Sequence, residues 1–120
     1  MTNRPRLLIV DDHERFRGFA RALLEAEGFE VVGEAGDGAA AVSAVRELHP
    51  DVVLLDVVLP DLDGFAVCER IAEEAVPPPV VVLTSTRDAA SYGGRIARSG
   101  ARGFIAKAEL SGASLTTVMA

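Results

Sequence analysis

The sequence predicts an α/β protein built on a parallel sheet. Four apolar runs, Leu7–Val10, Val52–Leu55, Val80–Leu83 and Phe104–Ala106, are continuous rather than alternating, as in strands covered on both faces. The stretches between them carry apolar residues at helical spacing. Each run ends in a polar residue: Asp11-Asp12, Asp56, Thr84 and Lys107 respectively. Ligands of open α/β sheets bind outside the carboxyl ends of the strands, so these residues mark one candidate edge.

The elements follow in order. Leu7–Val10 is the first strand. A helix over Glu14–Glu27 places Phe16, Phe19, Ala20, Leu23 and Leu24 on its inner face, and Gly28 stops it. Val31–Ala35 is shorter and more polar, as suits a sheet edge. Gly36-Asp37-Gly38 turns into a helix over Ala39–Leu48 with Ala41, Val42, Val45 and Leu48 inside, and Pro50 lies past its end. Asp51–Leu55 is the third strand. In the loop that follows, Asp63 is placed to cap a helix running to about Ala75, which buries Phe65, Cys68 and Ile71. Pro77 to Pro79 enforce a break before Val80–Leu83. Ala89–Ser99 reads as a weaker helix, because Gly93 and Gly94 each cost about 1 kcal/mol against alanine. Gly100 ends it, Arg102–Ala106 is the fifth strand, and Ser111 starts a last helix with Leu115, Val118 and Met119 inside. Five β-α units imply right-handed crossovers and a (βα)5 three-layer sandwich. The flavodoxin-like strand order 2-1-3-4-5 sets the first and third strands side by side.

Composition narrows the function classes. The 120 residues, with 49% hydrophobic and 25% charged, suit one globular domain over 1–120. A net charge of −6 argues against direct nucleic-acid contact, which needs clustered basic residues. No apolar run approaches membrane-spanning length, and the polar start does not resemble a signal peptide. The single cysteine, Cys68, forms no internal disulfide and reads as a buried small apolar residue in a reducing, cytoplasmic setting.

If the first and third strands are neighbours, as in the flavodoxin-like order, Asp11, Asp12 and Asp56 lie side by side. Close carboxylates raise one another's pKa values, and a hard divalent cation such as Mg²⁺ relieves the conflict. A carboxylate beside Mg²⁺ can attack phosphorus and form an aspartyl phosphate. The transferred group's equatorial oxygens then need neutralising, for which the cation, the Lys107 ammonium and the Thr84 hydroxyl are candidates. Singly, each residue has a plainer reading: an aspartate as turn former or cap, a threonine as turn hydroxyl, a lysine as solvated charge. Their joint placement favours the site, and Lys107 is the only lysine beside eleven arginines. His13 reads as a first-turn residue, because Mg²⁺ prefers oxygen.

Val10-Asp11-Asp12, Leu55-Asp56 followed by Pro60 and Gly64, Leu83-Thr84-Ser85 and Phe104–Lys107 occur in this order along the chain. With them the chain resembles the receiver domain of two-component response regulators over essentially its whole length. The closing Ala-Glu-Leu-Ser-Gly segment is similar to receivers that precede a helix-turn-helix output; the chain stands alone or is trimmed from a longer transcription regulator. The resemblance implies a phosphorylation-activated switch rather than a turnover enzyme. Asp56 is then the phosphoacceptor, and the donor a sensor histidine kinase or phosphotransfer protein. Mg²⁺, for which Mn²⁺ can substitute, is held by Asp12, Asp56 and the Val58 backbone carbonyl, with Asp11 acting through water. Thr84 is the switch hydroxyl, Lys107 pairs with phosphate, Phe104 is the aromatic switch, and a phosphorylation-dependent homodimer is a further partner. The alternatives are an unphosphorylated pseudo-receiver and an aspartyl-nucleophile phosphohydrolase; the latter typically has an aspartate two residues past the nucleophile, where Val58 stands. Two departures from the family pattern stand out. Ala108 follows Lys107 in place of a proline, leaving that peptide cis or trans, and an apolar Val58 is expected to restrict water and prolong phosphoryl lifetime.

Overall fold

A computed structural model describes residues 4–120. Its strands are β1 (Arg6–Val10), β2 (Glu30–Ala35), β3 (Val52–Asp56), β4 (Val80–Ser85) and β5 (Gly103–Ala106). Its helices are α1 (Glu14–Ala26), α2 (Gly38–Leu48), α3 (Gly64–Glu74), α4 (Arg95–Arg98) and α5 (Gly112–Met119). The strands pair in parallel in the order β2-β1-β3-β4-β5, as expected from the sequence.

The continuous apolar strands are explained by two cores. Side chains alternate across a strand, so Leu8, Val10, Val53, Leu55, Val81 and Leu83 meet α2 and α3 on one face. Leu7, Ile9, Val52, Leu54 and Val82 meet α1 and α5 on the other. The central strand β3 is buried along its whole length, while β2 lies at the edge and carries an irregularity in its register with β1.

The helix starts follow side-chain chemistry. Asp37 accepts from the Ala40 amide at 2.7 Å and Asp63 from the Ala66 amide at 2.8 Å, capping α2 and α3. Ser111 and Ser114 form a reciprocal capping box at α5. Gly28 and Gly100 leave their segments at φ of +102° and +87°.

Two expectations are corrected. The helix expected over Ala89–Ser99 is split into a 3₁₀ turn, Ala89–Tyr92, and the four-residue α4. Gly93 causes the split: at φ +57° and ψ −135° it adopts a conformation that α-helix excludes. Phe19 is 57% exposed rather than inward. The buried stripe of α1 centres on Ala20 and Leu24, and Phe19 lies about 100° round the helix from Ala20. Phe16 and Leu23 flank the stripe and pack against the core.

Candidate functional site

Strand register sets the site. Asp56 pairs with Thr84 across β3 and β4, and Thr84 with Ile105 across β4 and β5. Asp11 directly follows Val10, whose partner is Leu55. Asp11, Asp56 and Thr84 are thus brought to one sheet edge, and all three are buried. Asp12 and His13 lie outside them, exposed.

Lys107 reaches this group from the end of β5. Its ammonium stands 3.0 Å from Asp56 Oδ2, to which it donates a hydrogen bond, and 2.5 Å from Asp11 Oδ2. Buried Asp11 Oδ2 is thus held in a close ion pair with Lys107. The other oxygens are occupied: Asp56 Oδ1 accepts from the Val58 amide at 3.0 Å, and Asp11 Oδ1 from the His13 amide at 2.8 Å.

These surroundings split the two carboxyls. Burial raises the Asp56 pKa above its ordinary value, and the Val58 amide and Lys107 only partly oppose it. Burial pushes Asp11 the same way, but Lys107 and the His13 amide outweigh it and hold its pKa below the ordinary value. Burial disfavours the Lys107 charge, yet the two carboxylates raise its pKa.

The site residues expected from the sequence are not equally close. The Thr84 hydroxyl donates to the Ile105 carbonyl at 2.6 Å and so is engaged with β5 rather than with Asp56. Val58 presents a side chain that is 62% exposed. Phe104 is half-buried beside Tyr92, with ring centroids 5.9 Å apart, and the Tyr92 hydroxyl shares a 2.6 Å hydrogen bond with Ser85. The peptide after Lys107 is trans; among the described residues Val76–Pro77 is the cis bond. Arg102 donates to the Met119 and Ala120 carbonyls at the end of α5, and Arg95 stacks 4.3 Å over Phe65.

Three contacts escape the sequence reading. The Lys107 ammonium lies 4.4 Å from the ring centroid of Phe16. Arg17 donates to the Asp11 carbonyl at 2.7 Å. His13 Nδ1 stands 3.1 Å from both Asp11 Oδ1 and Asp12 Oδ1. The last follows from adjacency, but nothing in the period of α1 distinguishes Phe16 from an ordinary core residue.

The donor set suits a hard divalent cation. Ligand atoms of Asp11, Asp12, His13 and Asp56 all lie within 4.8 Å of one another. Three of the four donors are carboxylates, the ligand type Mg²⁺ prefers. Asp11 and Asp56 share the single Lys107 ammonium and Asp12 adds a third carboxylate, so the cluster holds more acidic than basic groups.

Among the described residues no helix is long and apolar enough to cross a membrane. The family model for the response regulator receiver domain matches residues 7–118. The chain is 40% identical over 104 residues to the Bordetella pertussis transcription regulator BvgA, covering 87% of this chain and 49% of that protein. It is 44% identical over 84 residues to the Bacillus subtilis transcriptional regulatory protein LiaR, covering 69% of this chain and 40% of that protein. The chain therefore spans about half the length of the curated relatives it matches. The signal receiver domain of Mycobacterium tuberculosis NarL superposes with a TM-score of 0.83 at 34% identity, covering 98% of both chains. A match that runs through every strand and both acidic strand ends leaves one assignment: this chain belongs to the response regulator receiver domain family.

Proposed function

We propose that this domain is a phosphoacceptor switch in which Asp56 takes a phosphoryl group from a phosphohistidine on a sensor kinase or phosphotransfer protein. The observation that carries this reading is the buried Asp56 carboxylate with Lys107 on one oxygen and the Val58 amide on the other. An Asp56 oxygen attacks phosphorus as the phosphorus–nitrogen bond breaks; the bond's electron pair stays on the leaving nitrogen, and because the ring's other nitrogen carries a proton the donor departs as neutral imidazole, leaving an aspartyl phosphate. Lys107, already bonded to Asp56, is the cation available to pair with an incoming phosphoryl oxygen. Asp11, Asp12, Asp56 and the Val58 carbonyl would hold Mg²⁺ or Mn²⁺, which supplies charge neutralisation at the transferred group.

The readout runs through Thr84. Its hydroxyl must exchange the Ile105 carbonyl for a phosphoryl oxygen, which breaks a 2.6 Å tie between β4 and β5. Phe104 lies next to that tie on β5, and Tyr92, Ser85 and α4 adjoin it, so the local change spreads to a face that a partner, a second copy or an output domain can read. Turnover of small phosphoesters is not expected, because Val58 stands where an acid-base aspartate would be needed. The transcriptional relatives support a role in gene control within a longer regulator.

The test is intact mass after incubation with acetyl phosphate and Mg²⁺. A phosphoryl-sized gain that disappears with chelator and in Asp56→Ala is the expected result. A gain that survives Asp56→Ala would move the acceptor elsewhere, and phosphate release from small phosphoesters would favour the hydrolase.

A further inference from the structure

We propose that Phe16 is a positioning residue for this phosphoryl transfer, its ring face holding the Lys107 ammonium against Asp11 and Asp56; the inference rests on the phosphoacceptor reading above. Lys107 has intervening strands to cross. It leaves the edge strand β5, and β4 and β3 lie between that strand and β1, where Asp11 follows Val10. A long, flexible stem held across two strand ends loses rotamer freedom and needs more than one anchor.

On the carboxylate side Lys107 is held by a 3.0 Å hydrogen bond to Asp56 and a 2.5 Å ion pair with Asp11. The backbone after Lys107 is a single 3₁₀ turn over Lys107–Glu109, through Ala108, which has no ring to stiffen it. Phe16 occupies the remaining side. Its centroid lies 4.4 Å from the ammonium nitrogen, within the ~6 Å range over which an aromatic face attracts a cation. The Lys107 side chain is only 11% exposed, so this attraction is little screened by water.

The position of Phe16 is itself fixed. It is in the first turn of α1, which shares a layer with α5, the helix after Lys107. Its ring lies 6.3 Å from that of Phe19, centroid to centroid, and it packs against the same core as Leu23 and Val118. Chemistry favours a ring here over the alternatives. A third carboxylate would trap the ammonium, and an aliphatic side chain would offer it nothing. A neutral ring attracts the cation weakly and without strict direction. Lys107 can therefore swing towards a phosphoryl oxygen while keeping contact with the ring.

Packing and cation attraction are separated by draining the ring of electron density at nearly constant size. Phe16 is replaced by progressively fluorinated phenylalanines, by Phe16→Tyr and by Phe16→Leu. The initial rate of phosphoryl uptake from acetyl phosphate at saturating Mg²⁺ is followed by intact mass. In the unmodified protein, proton NMR of the Lys107 ε-methylene reports whether it sits under the ring. The expected result is a stepwise fall in rate with fluorination, a loss of about two- to thirtyfold in Phe16→Leu, and recovery in Phe16→Tyr. The ε-methylene signal should lie upfield in the unsubstituted protein and return to its ordinary place in Phe16→Leu. A rate indifferent to fluorination, or an unshifted ε-methylene in the unsubstituted protein, would overturn the role of Phe16. No uptake by the unsubstituted protein despite a shifted ε-methylene would instead overturn the phosphoacceptor reading, and the positioning role with it.

Discussion

Asp11 and Asp56 are the same residue type, both buried, both against Lys107, yet their pKa values move in opposite directions. Burial is the largest influence on each; Lys107 and the His13 amide oppose it at Asp11, Lys107 and the Val58 amide oppose it at Asp56, and the contact between the two carboxyls lowers Asp11 while raising Asp56. A carboxyl with a raised folded pKa holds its proton more tightly when folded. Its contribution to stability therefore falls as pH rises from the ordinary carboxylate range through the raised value. Asp11, with a lowered pKa, contributes stability that is present above the ordinary range and lost as pH falls through its folded value. Ionised Asp56 is thus a strained group. Asp56→Asn is expected to stabilise the cation-free protein by on the order of 1 kcal/mol, with the gap closing as pH falls and Asp56 takes up its proton. Thermal unfolding at neutral and acidic pH checks this, and Mg²⁺ should raise the melting temperature of the unsubstituted protein more than that of the variant. The sequence places all three carboxylates at strand ends, but it does not reveal which one burial strains. That depends on side-chain reach and on amide directions that no spacing encodes, as the 2.5 Å approach of Lys107 to Asp11 illustrates.

The elements are legible where one physical signal decides them. Continuous apolar runs identify β1, β3 and β4 because both faces of each are covered, and Asp63 is recognisable as a cap because its side chain meets the Ala66 amide. The segment before β5 is not legible in the same way. Helical period suggests a continuous helix, and one dihedral pair at Gly93 divides it. Gly93→Ala is expected to cost about 1–3 kcal/mol in urea unfolding, since alanine tolerates that conformation poorly. A neutral outcome would mean that the segment refolds into the longer helix. The contact of Asp61 with α2 is likewise absent from the pattern. Its carboxylate accepts from the Gly38 amide at 2.7 Å and the Ala39 amide at 3.0 Å, tying the loop after Asp56 to the start of α2. These backbone bonds, that to Gly38 first, lower the Asp61 pKa, so the tie is complete above the ordinary carboxylate range and weakens as pH falls through the lowered value. Asp61→Ala should lower stability and speed amide exchange at Gly38 and Ala39 at neutral pH. The difference from the unsubstituted protein should shrink in acid; an equal difference at all pH values would show that the carboxylate charge is irrelevant.

For the whole molecule, the strand order does most to create the site. Placing β3 between β1 and β4 puts Asp11, Asp56 and Thr84 on adjoining strands, while Lys107 must cross from the edge. Five β-α repeats and right-handed crossovers make the parallel sheet legible in the sequence, whereas the order itself is supplied by the flavodoxin-like pattern that the receiver resemblance implies. How far Lys107 reaches, and that Phe16 lies over its ammonium, depend on how α1 and α5 share one layer, which is a tertiary result. The same sheet joins the buried carboxylates to Phe104 through the Thr84–Ile105 tie, so a charge added at Asp56 is felt at β5. The most direct measurement is to place the phosphoryl group itself. The protein is treated with acetyl phosphate and Mg²⁺, reduced with borohydride to convert any aspartyl phosphate to homoserine, and sequenced as peptides by mass spectrometry. Homoserine at position 56, and none at Asp11 or Asp12, is the predicted result. Homoserine at another aspartate, or none at position 56 in a sample whose intact mass had risen by a phosphoryl group, would contradict it.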